Sequence, residues 1–157
     1  MNYKKIFQLL IKEEGKGVLR KGSVGDYDFI QITTAFGVFM PAKTNIFKDD
    51  FFRVENRIDE HTIRHIMPES GLTEPYDSLY APWSITDTIA VIDKHQYRTL
   101  TPPDGRYPQY MICEPWLKLF EPTVHIKTYA RHDKPGLLFL YEDGVLAAIM
   151  GALVRKK

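Results

Sequence analysis

Thiol chemistry has almost nothing to work with in this chain, because Cys113 is its one cysteine. An intramolecular disulfide and any cysteine-rich zinc module are thereby excluded. Long apolar runs are missing too. A membrane helix needs about 20 consecutive apolar residues, and no stretch approaches that. After Lys4-Lys5, the apolar stretch from Ile6 to Ile11 is interrupted by Gln8 and followed by Lys12-Glu13-Glu14. A secretory core needs about 7–15 apolar residues and a small-residue cleavage site, so this start reads as a helix and not as a signal. An excess of one charge is also lacking: 21 Lys and Arg face 20 Asp and Glu, a formal net of +1. That excludes a strongly polyanion-seeking protein but leaves room for a local basic patch.

What is present suffices for one folded domain. Of the 157 residues, 44% are hydrophobic and 13% aromatic, which rules out global disorder. A chain of this length buries roughly 68–70% of the surface its unfolded form exposes. The expectation is a soluble, cytoplasmic domain.

Tyr3, Ile6, Phe7, Leu10 and Ile11 recur at the spacing of one buried helix face, and Gly15 and Gly17 end that helix. Strands are expected over 18–24, 27–36 and 38–40, with Gly25-Asp26 as the first turn. Residues 43–80 give no firm secondary structure. Trp83–Ile92 alternates weakly, as a strand does. Tyr97–Leu100 and Tyr110–Cys113 read as strands around the turn cluster Pro102-Pro103-Asp104-Gly105. Glu114–Phe120 reads as a short helix, with Pro115 in its first turn. Three strands follow, over 123–129, 137–141 and 145–154, the last two joined by Glu142-Asp143-Gly144.

This order predicts an α+β domain of two helix-plus-antiparallel-strand halves, residues 1–42 and 95–157, around an irregular middle, 43–94. Charge follows the same division. Residues 1–21 hold six Lys or Arg and two Glu, residues 48–79 four and eight acids, and residues 94–157 ten and six acids.

Several constellations suggest chemistry. His61 and His65 are four apart and would share a helix face suited to a metal, but Thr62 stands where a zinc protease has its glutamate. The plainer reading is an exposed helical turn. Cys113 with His125 or His132 supplies the residue types of a thiol nucleophile and its base, yet a cysteine beside Ile112 more often serves as a small buried hydrophobe. Gly17-x4-Gly22-Ser23 lacks the lysine of a phosphate loop after its second glycine. Asp87 with Asp93, or Glu55 with Asp59, could act as paired carboxylates, though their spacing fixes no geometry. Trp83, Trp116, Tyr107 and Tyr110 could stack bases, but Trp116 and Phe120 read better as anchors of the short helix. No catalytic site, metal or cofactor is expected. Lys4, Lys5 and Lys12 form a basic stripe on the first helix, extended by Lys16, and Lys118 lies on the second. Such a stripe could follow a phosphate backbone without reading bases, although on charge pattern alone a solvated face is the plainer reading.

Glu114-Pro115-Trp116-Leu117-Lys118-Leu119-Phe120, then Pro135–Leu140, the Asp143-Gly144 turn and Ala148-Ile149-Met150, resemble the helix and closing hairpin of bacterial DNA sliding clamps, the polymerase III β subunits. The resemblance covers roughly half the chain. It departs where Gly151-Ala152-Leu153 replaces the clamp's proline and basic residue. It implies a single clamp-like domain with two helices on a DNA-facing side.

The function expected from the sequence is a non-enzymatic, DNA-associated accessory protein. Lys4, Lys5, Lys12 and Lys118 would contact phosphates of double-stranded DNA, with replication or repair proteins or further copies of the chain as partners. One alternative is a protein-interaction module using an exposed sheet edge or a groove near Ile149–Val154. The other is an enzyme using His61, His65 or Cys113.

Overall fold

The computed structural model describes residues 18–24, 27–33, 38–42, 59–76, 78–120 and 125–155. Ten strands run through them: β1 (Val18–Val24), β2 (Tyr27–Thr33), β3 (Val38–Ala42), β4 (Tyr80–Ile92), β5 (His95–Thr101), β6 (Gln109–Cys113), β7 (Ile126–Arg131), β8 (Leu137–Glu142), β9 (Val145–Gly151) and β10 (Leu153–Arg155). The helices are short: α1 (Glu60–Ile66) and α2 (Glu114–Leu117), the latter continued by a 3-10 turn over Lys118–Phe120. The sheet order is β1-β2-β3-β9-β8-β7-β4-β5-β6-β10, with every pairing antiparallel.

One link in that order sets the shape. β9 and β10 are separated by Ala152 alone, yet they lie six positions apart in the sheet. Laid flat, six strand spacings would cover about 29 Å. Two Cα–Cα steps reach at most about 7.6 Å. The sheet between them must therefore curl until β6 meets β10, and the result is a closed barrel of six staves. β9 and β10 are one stave bent at Ala152, whose N–H donates to the Gly136 carbonyl at 2.8 Å. Gly136 turns at φ +88°, a left-handed backbone that glycine adopts without the Cβ clash. Before the bend this stave also pairs with β3, through Val38–Met150 and Phe39–Ile149. Beyond the bend, Leu153–Arg155 pairs with β6.

Alternation then sorts the side chains. Trp83, Leu100, Ile112, Ala130, Leu140 and Met150 point into the barrel, where Trp116, Leu117, Leu119 and Phe120 join them. Each such large side chain, fully buried, is worth about 1.5–3 kcal/mol. Phe139, Tyr141 and Ile149 point outward and are covered by Ile63 and Ile66 of α1 and by Met67 and Leu72 after it. Asp59 caps α1: the Thr62 N–H and hydroxyl donate to its two carboxylate oxygens, each at 2.8 Å. The Thr62 bonds hold that carboxyl below its ordinary range. Pro68, after Met67, blocks further helix.

The architecture corrects the α+β, clamp-like expectation. Among the described residues the protein is mainly β, and it is not built from two helix-and-strand halves. The middle segment contains the longest strand, β4, which lies between β7 and β5 and so ties the chain into one barrel. α2 is a four-residue turn with buried apolar side chains and lines no outer surface as a clamp helix does. The helix expected over 3–14 lies outside the described residues.

Candidate interaction surface

The barrel interior leaves the chemistry to the outside. Eight staves give a lumen that side chains just fill. Six give a narrower one, and here Trp83, Tyr110, Trp116 and Phe120 occupy it.

The most unusual outer feature is where β4 and β5 leave the barrel. β4 has 13 residues, but it pairs with β7 only over Tyr80–Trp83. β5 pairs with β6 only over Tyr97–Leu100. From Thr86 to Gln96 the two strands thus form a ribbon with no other strand beside it among the described residues. Ile89–Arg98, Ala90–Tyr97, Val91–Gln96 and Ile92–His95 face one another along it.

The root of the ribbon is pinned. The register shifts between Ile85 and Ile89, and polar groups fix the resulting bulge. The Thr86 hydroxyl lies 2.6 Å from that of Thr99, donates to the Thr99 carbonyl at 2.9 Å and accepts from the Thr88 N–H at 3.2 Å. Arg98 Nη1 donates to the Thr86 carbonyl at 3.3 Å. Its Nε and Nη2 grip both oxygens of Glu114 at 2.9 and 2.5 Å. Glu114, the first residue of α2, is only 2% exposed. A planar guanidinium fork on a buried carboxylate sets direction as well as distance, so the ion pair ties the ribbon root to the plugged end of the barrel.

The tip is strained. Asp93 and Lys94 both take positive φ, 48° and 68°. Two left-handed residues in a two-residue loop make the turn that matches strand twist. Glycine suits its second position, and a lysine there costs about 1 kcal/mol or more.

The sides of the ribbon are apolar. Val91 is 67% exposed and Ile89 46%, on the face that bears Arg98 and Gln96. Ile92 lies on the opposite face and is also exposed. Solvated alternate apolar residues on an unpaired edge are what sheets ordinarily hide.

The residues singled out from sequence fall elsewhere. Lys4, Lys5, Lys12 and Glu55 lie outside the described residues. Lys118 is exposed on the 3-10 turn. His61 and His65 are both exposed on α1 with ring centroids 6.4 Å apart, and no third His, Cys, Asp or Glu joins them as a metal-holding group among the described residues. Cys113 is half-buried against the barrel core. His125 is exposed, and His132 stacks on Tyr107 at 4.8 Å. Asp59 serves as a helix cap. Asp87 and Asp93 stand at the root and the tip of the ribbon. Trp83, Tyr110 and Trp116 are core, whereas Tyr107 is half-buried, with the Arg106 guanidinium 5.8 Å above its ring. Within the segment Ile149–Val154, Ile149 and Met150 have strands on both sides and are buried, whereas Val154 on β10 is exposed.

Sequence reasoning missed the Arg98–Glu114 pair and the ribbon. For the ribbon a signal existed, since Ile85, Ile89 and Val91 continue the alternation of β4 past the last residue that the core buries.

No helix among the described residues is long and apolar enough to cross a membrane. Compared with protein-family models, with curated proteins and with solved structures, the chain gives no match.

Proposed function

We propose that this protein is a non-catalytic interaction module that binds a partner protein by adding one of the partner's strands to the free edge of its ribbon. The carrying observation is the exposure of Ile89 and Val91 on an edge with no strand beside it among the described residues. Backbone N–H and C=O groups on such an edge supply affinity, and alternate side chains supply selectivity. The pinned root favours binding, because a pre-ordered edge loses little entropy on docking.

Contact with the phosphate backbone of DNA is the second reading, and exposed Lys118 favours it. The ribbon itself does not. Its residues 86–98 carry two Asp, one Lys and one Arg, a balance that gives no pull on a polyanion. The reading includes a cytoplasmic setting.

The test places a photo-crosslinking residue at position 89 of the whole chain in cells that make the protein. A protein adduct that survives nuclease treatment is expected, and the recovered partner should slow hydrogen exchange at the amides of 89–92. An adduct removed by nuclease, or no protection of those amides, overturns the edge-pairing reading. A nuclease-sensitive adduct would support the DNA reading instead.

A further inference from the structure

We propose that the strand received by this edge is cationic: an extended segment with Lys or Arg facing Asp87 and apolar residues at alternate positions facing Ile89 and Val91. The inference rests on the edge-pairing reading and specifies its partner.

The charge arrangement at the root carries it. Arg98 gives Nε and Nη2 to Glu114 and Nη1 to the Thr86 carbonyl. Asp87 reaches that guanidinium only at 3.9 Å, and its side chain is fully exposed. Two carboxylates thus share one guanidinium, and Asp87 is the surplus negative charge. Along β4, Ser84-Ile85-Thr86-Asp87-Thr88-Ile89-Ala90-Val91-Ile92 contains no Lys or Arg, and Asp93 adds a second carboxylate at the tip.

Ile89 and Val91 share a strand face, and in the chain they are flanked by Asp87 in the bulge and Asp93 in the turn. The complementary strand carries an apolar pair with a base beside it at the Asp87 end. Cross-strand pairs of opposite charge attract and like charges repel, so the edge selects against an acidic strand.

Two synthetic peptides test this, Lys-Thr-Val-Thr-Val-Thr-Lys and the same sequence with Glu at both ends. Each is titrated into the whole protein at low salt, with amide shifts and hydrogen exchange of 89–92 as readouts. The Lys peptide should bind about fivefold or more tightly than the Glu peptide. Asp87→Lys should shrink or reverse that preference, and exposed Asp87 makes the variant safe for folding. Equal binding of both peptides, with the amides protected, overturns the charge inference and leaves edge pairing standing. A preference for the Glu peptide also overturns it. If neither peptide binds or protects the edge, both readings fall.

Discussion

Glu114 sits where burial opposes its charge, and the structure answers with the Arg98 fork. Removing one member of a buried pair leaves the other facing a low-dielectric interior, at a cost of about 3–5 kcal/mol. Glu114→Ala should therefore destabilise the protein by that order, measured by urea unfolding. Glu114→Leu combined with Arg98→Met should recover most of the loss, because the penalty arises from an unmatched charge and not from a missing contact. The same doubly substituted protein should lose the fixed ribbon root, visible as faster hydrogen exchange at Thr86–Thr88. Nothing in Glu114-Pro115-Trp116 announces a buried carboxylate. The sequence marks Glu114 as a first-turn acid of a short helix, which ordinarily faces water. The partner is 16 residues away on a strand whose neighbour is known only from the sheet order.

At the scale of elements, hairpins were the most readable feature. Asp143 and Gly144 have φ of 52° and 78°, as the Glu142-Asp143-Gly144 signal requires, and β8 and β9 flank them as expected. Pro115 lies in the first turn of α2, also as read. β4 resisted reading because its two ends meet different surroundings: Trp83 in the core, Val91 in water. Its alternation runs on through Ile89 and Val91 after burial has ended, so the pattern marks a strand without marking where the core stops. The tip is a place where local preference was overruled. Lys94→Gly should relieve the left-handed strain there and raise stability by about 1 kcal/mol, seen as a higher urea midpoint with unchanged slope. A lower midpoint would mean that the Lys94 side chain itself holds the turn.

For the whole molecule, tyrosines on several strands share one electrostatic situation. Burial pushes the phenols of Tyr80, Tyr97, Tyr129 and Tyr141 above their ordinary value. Below about pH 10 both folded and unfolded chains keep these protons, so stability is unaffected. Above it the unfolded chain releases them first, and stability falls as pH rises through the folded values. Urea midpoints should be level up to about pH 9.5 and drop beyond. Tyr141→Phe should reduce the slope of that drop, and Tyr76→Phe should not, since Tyr76 is 92% exposed. The clamp-like expectation failed at this same scale. Motifs over 114–150 describe a helix and a hairpin correctly, but whether two halves stand apart or share staves depends on which strands pair, and β4 decides that from a segment whose alternation is weak and names no partner strand.

Ring closure through β10 also orders events in time. β5 to β8 can pair in sequence as a ribosome extrudes them, each finding a neighbour already made. β6 keeps an open edge until Leu153–Arg155 has emerged, more than 40 residues after β6 itself. A nascent chain therefore carries an unsatisfied strand edge from the end of β6 until β10 has emerged, and its solubility in that interval falls to whatever covers β6 in the meantime.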